Sequence, residues 1–362
     1  MRFKNTIPSF FKVNFFSNHV FRRIGIVIIC AAIQLNITAC NSQKTKKFEW
    51  AVSDCAPQNY PASIYRGSLH YGDKSGAAVP NGKIINNGWG NRGTVYSRAT
   101  SREVPHRLDI VWLSLREDKF YGGSFELPKA KMEQLFEEGF LDISDKSKEK
   151  IKKTYDEIVV GVGPGGVVGI WLNGIGFNIQ IATFYGEETE VDFASFNPNG
   201  IKDRDRFVTE ITAGRVSPQE LAKPIDFKSW ETKAKTFNWK PKIEGDIVDH
   251  AFFTELIYYN NDLEILVKKL ANNFTLRNRT IPKSIYINWA RSPDGYRLKS
   301  EFEFDEKEMF DVFNELFTEP ETQQGELIFK YNAKKDVDVF LKVGSNQKQL
   351  QKVTLGTFKS IH

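Results

Sequence analysis

Residues Pro105–Phe140 read PHRLDIVWLSLREDKFYGGSFELPKAKMEQLFEEGF, and residues Pro282–Phe317 read PKSIYINWARSPDGYRLKSEFEFDEKEMFDVFNELF. The two stretches match without a gap at an offset of 177 residues, the separation of Pro105 from Pro282. Matched positions are mainly apolar or acidic: Trp112 with Trp289, Ile110 with Ile287, Phe125–Glu126 with Phe302–Glu303, and Met132, Phe136, Glu138 and Phe140 with Met309, Phe313, Glu315 and Phe317. A solenoid needs at least about three repeats, so the match predicts duplication of a domain or half-domain.

Both stretches begin with the pattern of a β-hairpin. Apolar residues alternate with polar or semi-polar neighbours over Leu108–Trp112 and Ile285–Trp289, which indicates strands with one buried face. Return strands are predicted over Phe120–Leu127 and Tyr296–Phe304. The polar turns between them are Arg116–Lys119 and Ser292–Gly295.

A helix is predicted after each hairpin. Pro128 and Asp305 stand where the helices begin, since Pro is tolerated at the first helical position and Asp caps helices well. Apolar residues then share one helical face: Met132, Leu135, Phe136 and Phe140 in the first copy, and Met309, Val312, Phe313 and Phe317 in the second. Strands resume at Glu157–Val162, Val167–Leu172 and Phe177–Phe184, and at Glu326–Tyr331, Val337–Val343 and Gln351–Phe358. The order predicts an α+β fold of two related domains, each a mostly antiparallel sheet with one packed helix.

The chain divides into five predicted segments. They are a signal peptide (1–39), a tether (40–47), a first α+β domain (48–185), an inter-domain region (186–245) and a second α+β domain (246–362). The inter-domain region is rich in Asp, Pro and Asn, with a short helix predicted over Pro218–Lys223. A further helix is predicted over Asp262–Ala271, ahead of the second copy.

The N-terminal segment has the layout of a lipoprotein signal. Ile24–Ile37 is an apolar stretch behind Arg22–Arg23, and it is shorter than the roughly 20 residues that span a bilayer. This layout fits the apolar region of a cleaved signal. We predict cleavage between Ala39 and Cys40 and lipidation of Cys40; an ordinary secretory signal and an uncleaved anchor are the alternatives.

The residue after the cysteine bears on the location. Asn41 stands where an Asp would be the usual signal for retention in the inner membrane. We therefore expect a lipid anchor in the outer membrane, facing the periplasm, with the inner membrane as the alternative. Several acyl chains make a lasting anchor, and the polar residues Asn41–Lys47 reach at most about 25 Å, so the folded part would lie close to the lipid.

The charge balance argues against a nucleic-acid partner. The chain has 50 Lys and Arg against 45 Asp and Glu, but five basic residues and no acidic ones precede Cys40. The remainder is formally neutral, and we find no basic stripe of the kind that binds nucleic acid. Once Cys30 is removed and Cys40 is lipidated, Cys55 has no partner within the chain. Cys55 is either a small buried residue or a free thiol able to pair with another chain.

No motif predicts a cofactor or a metal site. Gly161, Gly163 and Gly166 spell GxGxxG, but strand-like residues follow where a dinucleotide site needs a helix, so we predict a hairpin turn. The histidines lack paired spacing and no GxSxG motif occurs. Acidic residues gather in one region: Glu187, Glu188, Glu190, Asp192, Asp203 and Asp205. We expect solvated surface there, with a carboxylate-dependent hydrolase using Glu190 or Asp203 as the weaker alternative.

The segment Asn86–Asn91, reading NNGWGN, predicts a site for a protein partner. Its glycines allow a tight turn, and Asn86 and Asn87 offer hydrogen-bond donors and acceptors. A Trp89 raised on such a loop would be an anchor, because interface hot spots favour Trp. The alternative is a loop that folds Trp89 back onto the core.

Several motifs carry a family resemblance: Trp50–Ser53 (WAVS), Cys55–Pro57 (CAP) with Tyr60–Pro61, Ile85–Gly90 (INNGWG), Lys119–Tyr121 with Gly123–Pro128 (GSFELP), and Pro282 with Ile287–Trp289 (INW). With these motifs, nearly all of the chain after Cys40 resembles bacterial lipoproteins grouped as a domain of unknown function. The resemblance implies an envelope protein with no assigned reaction. For members encoded beside secreted antibacterial effectors, it implies a role as immunity proteins. Cys55 matches a cysteine typical of the family.

We therefore expect a non-enzymatic lipoprotein, attached to the membrane through Cys40, that binds another protein. The sharper form of this hypothesis is an immunity protein against a secreted toxin, such as a lipase delivered by a type VI secretion system. An envelope assembly or structural role is the alternative.

Overall fold

The computed structural model describes residues 45–94, 98–143, 150–245, 253–267, 274–291, 297–332 and 336–360. The predicted signal peptide, its cleavage site at Ala39 and the lipidation site Cys40 lie outside the described residues, as does the predicted turn Ser292–Gly295. Residues Lys46–His362 belong to one structural unit. No helix within the described ranges is both long and apolar enough to cross a membrane.

We divide the structure into a first half (46–185), a strap (186–236) and a second half (237–360). The first half contains β1 (Lys47–Cys55), β2 (Ala62–Tyr71), β3 (Ser75–Ala78), β4 (Thr100–Glu103), β5 (Arg107–Ser114), β6 (Lys119–Glu126), α1 (Lys129–Glu138), β7 (Phe140–Ile143), β8 (Lys150–Lys153), β9 (Glu157–Val162), β10 (Val167–Gly174) and β11 (Phe177–Tyr185). The strap contains β12 (Glu187–Glu188), α2 (Phe193–Phe196), α3 (Arg204–Ala213), α4 (Pro218–Leu221) and α5 (Ser229–Ala234).

The second half has a similar succession of elements. It contains β13 (Phe237–Gly245), β14 (Phe253–Tyr258), β15 (Leu263–Val267), β16 (Arg277–Arg279), β17 (Pro282–Arg291), β18 (Arg297–Phe304), α6 (Glu306–Leu316), β19 (Gly325–Tyr331), β20 (Val337–Val343), β21 (Asn346–Gln349) and β22 (Val353–Ser360). We predicted 186–245 as an inter-domain region; its last residues, Phe237–Gly245, form a strand that pairs with strands of the second half.

The protein is mostly sheet, and each half has two main layers where we predicted one sheet. The first half has sheet A, ordered β11-β10-β9-β1-β4, and sheet B, ordered β12-β6-β5-β2-β3. The second half has sheet C, ordered β16-β13-β19-β20-β21, and sheet D, ordered β22-β18-β17-β14-β15. Sheets A and D join into one ten-stranded sheet, because β11 pairs with β15 through the residues Asn178 and Leu263.

Most strand pairs are antiparallel, but each half has a parallel pair between distant strands. β1 runs parallel to β9, and β13 runs parallel to β19. The alternation of apolar residues within a strand does not indicate which distant strand it pairs with. The sequence pattern therefore did not show that the strands of each half divide into two sheets.

One apolar core fills each half. In the first half, side chains from sheet A, sheet B and α1 meet in a single cluster that includes Trp50, Ile64, Ile110, Met132 and Val160. In the second half, a corresponding cluster contains Trp239, Ile285, Phe302, Phe313 and Leu327. Burying one aromatic side chain removes roughly 150–250 Å² from water, so these residues dominate the stabilisation of both layers.

The two helices that follow the hairpins pack as predicted. Met132 and Phe136 of α1 are buried, as are Met309, Val312 and Phe313 of α6. Phe140, which we placed on the first helical face, instead lies in β7 but is still buried. Asp305 caps α6, because its carboxylate accepts the backbone N–H of Glu308 at 2.9 Å.

Two smaller predictions had different outcomes. The glycine motif forms a hairpin turn, as predicted: Pro164–Gly166 is a 3-10 turn between β9 and β10, and strand follows Gly166. The helix predicted over Asp262–Ala271 is wrong, because Leu263–Val267 is β15 and pairs with β14. Alternating Leu, Ile and Val in this segment favour an extended chain once a partner strand is beside it; residues 268–273 lie outside the described ranges.

The strap covers the outer face of sheet B. Leu113, Leu115 and Phe120 of that face pack with Phe207 of α3 and with apolar residues of the preceding strap segment. The short helix predicted at Pro218–Lys223 is present as α4. The strap then returns to the edge of sheet A, where Trp230 of α5 is buried.

Candidate partner-binding site

The segment of residues 85–94, which we call the Asn loop, is held against the end of β1 by the side chain of Asn87. The Asn87 side-chain oxygen accepts the backbone N–H of Ala56 at 3.3 Å. Its Nδ2 donates to the backbone oxygens of Asn91, at 2.7 Å, and Asp54, at 3.4 Å. Asn87 is therefore engaged with its own chain, and it positions the loop.

A buried carboxylate fixes the far end of the Asn loop. Asp54 is fully buried; its Oδ1 accepts a hydrogen bond from Lys83 Nζ at 3.1 Å, and the same Nζ forms an ion pair with Oδ2 at 2.9 Å. The same carboxylate accepts the backbone N–H of Thr94 at 3.0 Å, and Ser53 Oγ accepts that of Gly93 at 2.9 Å. A buried charge is tolerated only when it is paired and hydrogen-bonded, so these contacts give the loop one conformation.

Trp89 of the Asn loop folds inward, which is the alternative considered for this loop. Its ring lies 4.9 Å from that of Trp171 at right angles and 5.3 Å from that of Trp230. Aromatic pairs favour such edge-to-face geometry. Trp89 remains partly exposed, next to Trp230 of α5.

Cys55 lies beneath this aromatic cluster as a small buried residue. It has no exposed surface, and its Sγ accepts the backbone N–H of Gly90 at 3.2 Å. Burial raises the pKa of the Cys55 thiol well above its usual range. The protonated, enclosed thiol therefore serves packing in this structure.

Asn86 differs from Asn87 in its surroundings. It is half-buried, and its side-chain oxygen has no hydrogen-bond partner among the described residues. The exposed Asn87 thus holds the loop through backbone hydrogen bonds, Trp89 packs against Trp171 and Trp230, and Asn86 takes part in neither set of contacts. A role of Asn86, Asn87 and Trp89 in binding a partner stays a prediction.

The Asn loop also contacts the second half through Asn178 and Asn261, neither of which was predicted from a sequence motif. Asn178 Nδ2 donates to Gly90 O at 3.0 Å and to Asn261 O at 2.9 Å. Asn261 Nδ2 in turn donates to Asn91 Oδ1 at 2.5 Å. Asn261 has a φ of 66°, a conformation that Asn tolerates better than most residues. The run Asn260–Asn261–Asp262 was the available sign of such a turn.

Three exposed apolar residues at the end of β11 and in the strap were not predicted, and we call them the apolar patch. It consists of Tyr185, Leu221 and Phe227, which are 50%, 38% and 48% exposed. A Cβ at Gly165 would lie 2.6 Å from the Phe227 ring, and Gly186 N donates to Gly166 O at 2.7 Å, so Phe227 and the end of β11 flank one turn. For Leu221 and Phe227, the sequence signal was an apolar residue among polar neighbours in the strap.

Contacts of Arg116 and Glu117 hold the backbone of the patch in place. Arg116 donates to the backbone oxygens of Leu221 and Lys223 at 3.4 and 2.8 Å, while its guanidinium lies 4.7 Å from the centre of the Tyr60 ring. The adjacent Glu117 accepts the backbone N–H of Gly165 at 3.0 Å. The backbone at Leu221, Lys223 and Gly165 is thus held by side-chain contacts from one turn.

The acidic residues of the strap have structural contacts. Asp192 and Asp203 cap α2 and α3 by accepting backbone N–H groups, and Glu188 pairs with Lys119 at 2.7 Å on the surface. Across the described ranges, no group of three or more His, Cys, Asp or Glu side chains is arranged to hold a metal ion. Asp203 therefore acts as a helix cap and Glu190 is exposed, and a catalytic role of either residue stays a hypothesis.

Comparisons with known proteins were made on the whole sequence. A family described as "Protein of unknown function (DUF2931)" matches residues 37–229, which comprise the first half and nearly all of the strap. A search of curated proteins and a search of solved structures each gave no match. Because the matched residues make up more than half of the chain, the protein belongs to the DUF2931 family of proteins of unknown function.

Proposed function

We propose that this protein is a lipid-anchored envelope protein that acts by binding another protein and not by catalysis. Signal cleavage after Ala39 and lipidation of Cys40 would anchor it in the outer membrane, facing the periplasm. The partner we favour is a secreted antibacterial effector, which would make this protein an immunity protein.

The apolar patch is the observation that carries the binding role. Tyr185, Leu221 and Phe227 each expose apolar surface. Phe227 and the end of β11 flank the Gly165–Gly166 turn, and Arg116, next to the Glu117 that accepts the Gly165 N–H, holds the backbone of Leu221. Clustered exposed apolar residues mark interaction sites more often than scattered ones do, and aromatic residues are enriched at interface hot spots. The rigid backbone beneath the patch supports binding, since little ordering entropy is lost.

Lipidation can be tested with two cysteine variants. Metabolic labelling with palmitate should mark the wild-type protein and the Cys55→Ala variant, because Cys55 is enclosed in the core. The Cys40→Ala variant should lose the label and leave the membrane fraction. Retention of both label and membrane association in Cys40→Ala would show that the anchor is wrongly assigned.

The binding role can be tested on the apolar patch. Products of adjacent genes would be exported to the periplasm of cells that carry wild-type protein, Tyr185→Ser/Phe227→Ser or Ile175→Ser. Ile175 is 69% exposed and lies at the opposite end of the β10–β11 hairpin from Tyr185, so it is a matched control. We expect the wild type and the control to protect the cells and capture the toxin, and the double variant to lose both properties.

Two outcomes would contradict the immunity role. One is full survival, without this protein, of cells that export each adjacent gene product. The other is a permeability defect on deletion with no toxin present, which would favour the alternative of an envelope assembly component.

We also infer that the two halves are copies of one unit. The support is the pairing scheme: β1 is antiparallel to β4 and parallel to β9, while β13 is antiparallel to β16 and parallel to β19. The hairpins β5–β6 and β17–β18 each precede a helix. An experimental structure in which the pairing of the second half departs from this scheme would overturn the inference.

A further inference from the structure

A cavity of about 240 Å³ lies where the two halves meet. Sheets A and D are joined there through the pair Asn178–Leu263, and both residues line the cavity. The first half contributes one wall and strands β15 and β16 contribute the other. A dry engineered cavity of about 150 Å³ holds benzene, so this cavity has room for a substituted ring.

The wall from the first half is aromatic. Phe140 and Phe177 stack with ring centres 4.1 Å apart, and the Tyr155 ring meets that of Phe140 edge-on at 5.3 Å. Phe140 and Tyr155 are buried, whereas Phe177 is partly exposed. A ring or a short apolar group can pack against this wall.

The opposite wall contains two arginines and one fully engaged glutamate. Glu264 accepts Tyr258 Oη at 3.0 Å and Arg279 Nε and Nη2 at 2.9 and 3.2 Å. Arg279 also donates to Trp239 O at 2.6 Å and Thr275 O at 3.1 Å, so it is locked in place. This bidentate pair neutralises one positive charge inside the wall.

Arg277 is the arginine of this wall that a ligand can reach. It contacts the same carboxylate of Glu264, but its side chain is 49% exposed, against 3% for Arg279. Two guanidinium groups therefore share one carboxylate. The partial removal of its side chain from water and the nearby Arg279 lower the pKa of Arg277 to about 10, so it remains charged at neutral pH.

The other carboxyl of the cavity does not fully cancel this charge. Burial raises the pKa of Asp262 to about 7, and the group is then about half protonated at neutral pH. Its Oδ1 is occupied by the backbone N–H of Gln180 at 2.6 Å. The cavity thus has an aromatic wall facing an excess positive charge.

We propose that this junction cavity binds a small aromatic carboxylate, with its carboxylate group on Arg277 and its ring against Phe140 and Phe177. A guanidinium recognises a carboxylate through paired hydrogen bonds. Pockets of this kind combine mostly apolar walls with a few polar groups that orient the ligand. The cavity shares no residue with the apolar patch. Ligand binding here can therefore be tested independently of the proposed protein-binding role.

The test uses the full chain in detergent, with benzoate, benzyl alcohol and acetate as probes in ligand-detected NMR and calorimetry. Benzoate should bind at least about tenfold more tightly than either other probe, as expected when one charge-assisted hydrogen bond and one apolar contact act together. The Arg277→Gln variant should lose at least about tenfold in benzoate affinity. Arg206→Gln, which changes an exposed arginine on α3, should bind like the wild type.

Three results would overturn the proposal. They are no benzoate binding at millimolar concentration, equal binding of benzyl alcohol and benzoate by the wild type, and unchanged benzoate affinity in folded Arg277→Gln. The first two use only the wild-type protein, so they decide the matter even if Arg277→Gln fails to fold.

Discussion

Gly161 on β9 occupies a position where a methyl group does not fit. A Cβ there would lie 2.8 Å from both Cys55 Sγ and the Trp171 ring and 3.0 Å from the Trp89 ring. Cys55 and Trp171 are fully buried and cannot easily move. We expect Gly161→Ala to lower the free energy of unfolding by about 1–3 kcal/mol, as overpacking does, measured by urea denaturation.

A matched glycine provides the control for Gly161. Gly214 follows α3 in a right-handed helical conformation, and a Cβ there would meet its nearest atom at 3.4 Å. Gly214→Ala should leave stability nearly unchanged. Equal stability of the two variants would mean that the cluster around Cys55 is looser than its geometry indicates.

Single residues also set a limit on prediction from sequence. Trp89 was recognised as a special residue from its glycine and asparagine neighbours alone. Its packing partners Trp171 and Trp230 lie far along the chain, so the direction of its ring could not be read locally. The same holds for Asn178, an ordinary strand residue until its contacts with Gly90 and Asn261 are known.

At the scale of elements, α6 depends on Asp305, the capping residue that precedes it. Asp305 accepts the backbone N–H of Glu308, and Glu308 accepts the backbone N–H groups of Gln351 and Lys352. Asp305→Ala should lower the free energy of unfolding by about 1 kcal/mol, because an unpaired helix N–H remains. Thermal unfolding followed by circular dichroism would measure it.

Asp311→Ala on the same helix is the comparison for Asp305→Ala. Asp311 is exposed and pairs with Lys307 one turn earlier, an arrangement that contributes about 0.3–0.5 kcal/mol. If Asp311→Ala destabilises the protein as much as Asp305→Ala, capping is not the cause.

Elements with a strong internal period were the predictable ones. The hairpins and helices of the two matched stretches follow from alternation and from apolar helical faces. The exception is β15, where leucine spacing suits a helix or a strand and the hydrogen bonds to β14 decide. The second layer in each half was missed for a related reason, since parallel pairing of β1 with β9 leaves no local signal.

At the scale of the whole molecule, the junction between the halves makes stability depend on pH. Burial raises the pKa of Asp262 to about 7, whereas an unfolded aspartate ionises near pH 4. Between these values the folded protein keeps a proton that the unfolded chain has released. This group therefore lowers the free energy of unfolding as the pH rises from about 4 to 7.

Asp262→Asn should remove this contribution. Its amide oxygen can still accept the backbone N–H of Gln180, and no charge forms at any pH. In urea denaturation across this pH range, the wild type should lose stability relative to the variant as the pH rises, with a constant difference above about pH 7. Asp73→Asn, at an exposed position in the β2–β3 turn, is the control. If the free energy of unfolding changes with pH in the same way in the wild type and in Asp262→Asn, the pKa of Asp262 is not raised in the folded protein.

The parallel pairing of β1 with β9 also bears on how the chain reaches its folded state. Ala51 of β1 pairs with Glu157 of β9, and strands β2, β3, β5 and β6 of sheet B lie between these two residues in the sequence. Contacts between residues so far apart close late and slow the folding rate. Before β1 has paired with β9, its backbone N–H and C=O groups and its apolar face can pair with other chains. The nascent protein therefore has an aggregation-prone interval at its N-terminal end that closes only when β9 has been synthesised.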